Sequence, residues 1–199
     1  MKSMLHLKFI ALYIIFGFLC LFTTATLTTQ LVENRLMEDT SETLYREATL
    51  IASDYLPSYF TDDSSLYAVQ SQLAAMRLYL DASLWFVDST GTMITSSNIE
   101  NTSAPEAIEE FNPAEIGGSQ YISGTYHGYF KEDVITVMAP VTQSFYTKGY
   151  LLIHSPVASV EQRCASIMHP VYISLGVIYL LSFIFLLGVH FIVYRPVKK

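Results

Sequence analysis

Two cysteines are all that the 199 residues contain, and Cys20 and Cys164 lie at opposite ends of the chain. One cysteine cannot build a disulfide framework between residues 30 and 169, so a domain there must be held by its own apolar core. No Gly-x-Ser-x-Gly and no glycine-rich phosphate loop occurs. His6, His127, His154, His169 and His190 show no metal-ligand spacing. Catalysis, a metal and a cofactor are therefore not expected. A nucleic-acid partner is not expected either, because the middle of the chain is acidic and repels phosphate backbones. Internal repeats and low-complexity tracts are also missing.

Charge is absent from two long stretches. Residues 9–28 and 171–194 contain no Asp, Glu, Lys or Arg, and each reaches the roughly 20 residues a bilayer-crossing helix needs. Acids are absent from both tails, which carry Lys2, Lys8, Arg195, Lys198 and Lys199. All 18 acidic residues lie between Glu33 and Glu161 with six basic ones, so the middle is −12 against +5 in the tails, the −7 of the whole chain. Basic flanks stay in the cytoplasm. The expected organisation is a cytoplasmic N-terminus (1–8), a first span (9–29), an extracellular domain (30–169), a second span (170–194) and a cytoplasmic stub (195–199). A cleaved signal peptide fits poorly, since its apolar core is about 7–15 residues and Phe22-Thr23-Thr24-Ala25-Thr26 offers no small-x-small site. Bulky Leu19 before Cys20 argues against a lipoprotein.

Glycine and proline are missing again from Leu27 to Leu56, so the first helix is expected to run on until Pro57. Met37, Leu44 and Ile51 recur every seven residues, with Ala48 and Tyr55 four after the last two; this stripe fits the domain's own sheet or a homodimer seam, and both can hold because a long helix has two sides. Asp62-Asp63-Ser64-Ser65 supplies N-cap residues for a helix over 66–79 with Leu66, Val69, Leu73, Met76 and Leu80 on one face. Residues 83–88 and 92–96 read as a hairpin around Ser89-Thr90-Gly91. A short helix is expected over 105–111, then strands over 121–130, 134–142 and 149–154, and a helix from Pro156 into the second span. The fold class is α+β: a five-stranded antiparallel sheet against a long N-terminal helix, flanked by two transmembrane helices.

The run Leu84-Trp85-Phe86-Val87-Asp88-Ser89-Thr90-Gly91-Thr92-Met93-Ile94 resembles the hairpin of extracellular single-Cache (PAS-like) sensor domains. Residues 134–141 and 149–154 resemble that domain's paired late strands, and Tyr194-Arg195-Pro196-Val197-Lys198-Lys199 resembles the opening of a HAMP linker. In this order the motifs are similar to the input half of membrane sensor histidine kinases of Gram-positive bacteria. The resemblance implies a two-component receptor that senses an extracellular signal and hands it through the second span to Arg195 and Pro196. The family's phospho-acceptor and nucleotide-binding domains are not among these 199 residues, so kinase chemistry is not expected from them.

The resemblance also implies a ligand site between the sheet and the irregular segment before the third strand, with Trp85, Tyr121, Tyr126, His127, Tyr129 and Arg77 in reach. Aromatic residues with one polar group suit such a wall; ordinary sheet packing accounts for them as well. Glu100, Glu106, Glu109, Glu110 and Glu115 form an acidic cluster that would attract a divalent cation or cationic peptide, or would simply be a solvated loop edge. Expected partners are the lipid bilayer, a second copy of the chain, and an extracellular small molecule, cation or peptide. A chemoreceptor or cyclase input region, and a stand-alone binding protein acting through a partner, remain open alternatives. Cys164 reads as a small helix-face residue or a link to its twin, His190 as a neutral imidazole near the inner interface, and the sequon at Asn101 as chance.

Overall fold

The structure, a computed structural model, describes residues 2–61, 64–98, 105–116 and 121–189. The sequon at Asn101, Glu100, His190, Arg195 and Pro196 lie outside the described residues, as do Asp62 and Asp63. The chain divides into two compact units, Arg35–Glu161 and the pair Met1–Asn34 with Gln162–Lys199.

Helix α1 spans Lys2–Asp54 and helix α3 spans Val157–Val189. Both are long and apolar enough to cross a membrane. Within the unit they form, polar side chains link them. Tyr13 hydrogen-bonds Ser182, Thr29 hydrogen-bonds Tyr172, and the Tyr179 hydroxyl donates to the Ile14 carbonyl at 3.2 Å. Gly17 makes room for the Tyr179 ring, which a Cβ there would strike. Thr23, Thr26 and Thr29 return their hydroxyls to carbonyls four residues back, which satisfies them without water.

In the other unit, α1 ends at Asp54 and a 3-10 helix, Leu56–Thr61, follows, with Pro57 in its first turn. Helix α2 covers Leu66–Leu80. Ser65 caps it by accepting from the Ala68 N–H at 3.2 Å, and Asp81 ends it in the left-handed region. Five antiparallel strands follow: β1 Ser83–Asp88, β2 Met93–Ser96, β3 Ile122–Gly124, β4 Val134–Gln143 and β5 Tyr146–Pro156. Their order in the sheet is β2-β1-β5-β4-β3.

Strand alternation sorts side chains to two covered faces. Leu84, Phe86, Ile135, Val137, Ala139, Leu151 and Ile153 pack against Leu44, Ala48, Ile51 and Ala52 of α1 and Val69 and Leu73 of α2. Met37 joins this core from its edge. The seven-residue stripe is thus taken up by the domain's own sheet, and small Ala48 and Ala52 let α1 lie close to it. Two stripe residues depart from expectation: Tyr55 is exposed after the helix has ended, and Leu66 is exposed in the first turn of α2.

One expected element does not form and another is shortened. Residues 105–111 are not helical, because their backbone is engaged elsewhere. Ile108 donates to the Gly91 carbonyl and Met93 donates to the Glu106 carbonyl, both at 3.0 Å, and Ala107 bridges Thr92. The strand expected over 121–130 stops at Gly124, since Gly124, Tyr126, His127 and Gly128 all take positive φ and fold the chain into a tight strap. The last strand is longer than expected: Ser144 and Phe145 make a two-residue turn with positive φ, so β5 starts at Tyr146.

The β1–β2 turn is organised by Asp88. Its Oδ1 accepts from the Thr90 N–H at 2.8 Å, the Thr90 hydroxyl at 2.6 Å and the Thr92 N–H at 2.9 Å. Partial burial works to raise the carboxyl's pKa, but these donors outweigh it and hold it below the ordinary value. The contribution is therefore complete at neutral pH and fades as pH falls through the acid range below the usual carboxylate pKa. Asp88→Ala is expected to cost about 1–2 kcal/mol, the scale of lost hydrogen bonds to a charged group. It should appear as a lower urea midpoint followed by Trp85 emission, with Asp88→Asn falling between.

Candidate functional site: an aromatic shell around His154

The sheet face away from the helices is built from Trp85 and Val87 of β1, Val134 and Met138 of β4, and Leu152 of β5. His154 shares it, two residues after Leu152 on the same strand. Ile108 and Ile116 from the irregular segment, and Tyr126 from the strap, cover it. Gly91 is essential to this cover. It sits at φ +89, and a Cβ there would collide with Phe111, which stacks edge-on with Tyr150 at 5.6 Å.

Among the described residues, His154 is the one ionisable side chain this face buries completely, at 1% exposure. Its ring lies 4.4 Å from that of Trp85 and 4.8 Å from those of Tyr126 and Phe130. Phe130 in turn stacks on Trp85 at 5.3 Å. Nδ1 shares a 2.8 Å hydrogen bond with the Thr136 hydroxyl, its cross-strand neighbour, whereas Nε2 is buried with no hydrogen-bond partner. Burial among rings penalises the cation and pushes the imidazole pKa down to about 3, so the ring is neutral. Burial also raises the pKa of Tyr126, with Glu115 and Tyr129 adding to the effect.

The strap is clasped to its surroundings by Tyr129, whose hydroxyl accepts from the Glu109 N–H at 3.0 Å and donates to the Ala107 carbonyl at 3.5 Å. Inside the strap, Tyr129 and Phe130 donate to the carbonyls of Tyr126 and Thr125, each at 3.1 Å.

Of the six wall residues expected from the sequence, the structure brings Trp85, Tyr126 and Tyr129 together. Tyr121 packs against the helix-side core instead. His127 is exposed, its ring edge-on to that of Tyr126 at 5.0 Å. Arg77 lies on α2, exposed, with Nη1 3.4 Å from Asn98 Oδ1. Glu106, Glu109, Glu110 and Glu115 are all exposed on the covering segment, and among the described residues no three His, Cys, Asp or Glu side chains gather around a possible metal position. Sequence reasoning missed His154, Thr136 and Phe130. The available signal was a histidine on the alternation of the apolar strand Leu151-Leu152-Ile153-His154.

No family model matches the chain, and no curated protein matches it. Among solved structures it is similar to the sensor domain of the V. cholerae histidine kinase DctB, with a TM-score of 0.49 and 19% identity over 67% of this chain and 56% of that one. It is similar to the sensory domain of the Campylobacter jejuni chemoreceptor Tlp3, with a TM-score of 0.47 and 17% identity over 74% of this chain and 66% of that one. The ligand-binding domain of Tlp3 in complex with L-valine gives a TM-score of 0.46 and 17% identity over 75% and 67%. The chain spans only 56% of the DctB sensor domain and 66% of the first Tlp3 domain.

Proposed function

We propose that this chain is the sensory input region of a membrane receptor. Residues 9–29 and 170–194 cross the bilayer, residues 30–169 face outward, and both basic tails lie in the cytoplasm. The observation that carries the reading is a folded domain between two span-length apolar helices, whose outer sheet face holds a completely buried histidine with an unused nitrogen among aromatic rings. A structural core gains nothing from that nitrogen, since an unsatisfied buried polar atom costs about 1–3 kcal/mol. A ligand site does.

The histidine-kinase reading follows from the motif order and from the HAMP-like Arg195-Pro196 after the second span. In it, a ligand-driven shift of the sheet passes along α3, which begins directly after β5, as a small slide or rotation. A chemoreceptor or cyclase input would use the same geometry with another output.

Topology is tested by single cysteines in a Cys20→Ala/Cys164→Ala background. Ser71→Cys on exposed α2 is expected to react with a membrane-impermeant maleimide on intact cells, and Ser3→Cys only after permeabilisation. The reverse pattern sinks the extracellular assignment.

A further inference from the structure

We propose that the cavity between the end of α1 and helix α2 binds a small neutral molecule, mostly apolar and carrying one hydroxyl group, the class of simple phenols and short alcohols. The inference goes beyond the sensor reading. It concerns the helix side of the sheet and holds whether or not the shell around His154 takes a ligand.

The cavity measures about 220 Å³. Its floor is Ile51 in the last turn of α1, Leu56 at the start of the 3-10 helix, and Val69 and Leu73 of α2, each at 4% exposure or less. Apolar walls of this kind stay dry and accept an apolar guest; a cavity of about 150 Å³ lined by aliphatic and aromatic residues already holds benzene. This one therefore takes a single ring, or a chain of similar bulk, with room for about one or two further heavy atoms. A helix, about 10–12 Å across, is too broad for it, so the occupant is a small molecule rather than a segment of another protein. Met76 stands half-buried at its side, and an unbranched thioether adjusts to the shape of a guest.

Charge and polarity decide the class. Among the described residues, no charged side chain lines the cavity. Asp54 and Arg77, neighbours of its lining along the chain, are exposed outside it. An ionised guest would lose its hydration with nothing to pair it, a cost that a neutral guest escapes. The mouth, in contrast, is polar. Tyr55 and Gln72 stand exposed there beside Ala75, and no hydrogen bond to another described residue engages the Tyr55 hydroxyl or the Gln72 amide. Each of these groups can donate and accept, so a guest hydroxyl held at the mouth finds a partner whichever way its proton points. Carbon below and one hydroxyl above is the order that the lining matches.

The test uses the whole chain in lipid nanodiscs with 13C-labelled methionine methyls, and p-cresol, p-xylene and 4-methylbenzoate as probes. Met76 reports the cavity. Met138, on the other face of the sheet, reports any change that merely follows the lipid or the fold. p-Cresol is expected to move the Met76 resonance saturably and leave Met138 in place. p-Xylene, without the hydroxyl, should bind about five-fold more weakly, the worth of one hydrogen bond. 4-Methylbenzoate should leave Met76 unmoved. Ala75→Phe, a change at the exposed rim, should weaken p-cresol about ten-fold by overfilling the mouth. Tyr55→Phe combined with Gln72→Leu should bring p-cresol down to the affinity of p-xylene, with p-xylene itself unchanged. Binding of 4-methylbenzoate as tight as that of p-cresol overturns the neutral class. A p-cresol affinity untouched by both sets of changes puts the probe elsewhere and overturns the site. So does a Met76 resonance that ignores both neutral probes, or one that moves with chain concentration instead, which would mean that a second copy covers the mouth.

Discussion

Lowering the pH from 7 to 5 is expected to cost the extracellular domain about 2 kcal/mol of stability through His154 alone. The imidazole titrates near 6.5 in an unfolded chain, but burial holds it at about 3 in the folded one. Below pH 6.5 the unfolded chain takes up a proton that the folded domain refuses, so stability is complete above that value. It then falls by about 1.4 kcal/mol per pH unit until the folded ring itself titrates. Most carboxylates change state at lower pH than this window, and Asp88 lower still, so the interval between pH 7 and 5 isolates the histidine. The measurement is urea unfolding of the micelle-held chain, followed by Trp85 emission at half-unit pH steps. His154→Leu is expected to flatten the profile. If the leucine variant loses as much between pH 7 and 5 as the parent, the buried imidazole is not the source. Among the described residues, the groups facing His154 are rings and the Thr136 hydroxyl, and no carboxylate offsets its charge.

Much of the scaffold was legible because it rests on local signals that need no partner. Two uncharged stretches, a glycine- and proline-free run to Leu56, Ser65 ahead of α2, and Ser89-Thr90-Gly91 between two apolar strands each carry their own physical instruction. The α1 stripe at Leu44, Ala48 and Ile51 was visible as a stripe, but whether a sheet or a second helix covers it is a tertiary question, and the sheet does. Where the reading failed, a tertiary contact or glycine overrode propensity. Tyr121, Ile122, Tyr126, Tyr129 and Phe130 are strong strand formers, yet Gly124 and Gly128 turn them into a strap. Residues 105–111 have helical composition at best, and Gly91 and Met93 claim their backbone groups. The site was half legible. Aromatic content pointed to Trp85, Tyr126 and Tyr129, but a buried orphan nitrogen exists only once β5 is in register with β4, which places His154 opposite Thr136.

The largest single effects are expected from the neighbours Trp85 and Phe86, which point to opposite faces of β1. Phe86 is fully buried on the helix side, edge-on to Tyr59 at 5.9 Å and Phe60 at 5.8 Å. Trp85 is 3% exposed and anchors the shell around His154. Truncating either to alanine should remove about 3–5 kcal/mol, the usual cost for a buried aromatic. A domain is stable by only about 5–15 kcal/mol, so each variant should be marginal or unfolded by limited proteolysis at 37 °C. The informative comparison is milder. Trp85→Leu and Phe86→Leu should each cost about 1–3 kcal/mol and leave a folded domain. The ring resonances of His154 should then separate them, because only Trp85 lies against that ring, at 4.4 Å. The tryptophan variant should move them clearly, and the phenylalanine variant, altered on the opposite face of the sheet, should leave them nearly in place. Equal shifts in both would mean that the surroundings of His154 follow the stability of the whole domain rather than one face of its sheet.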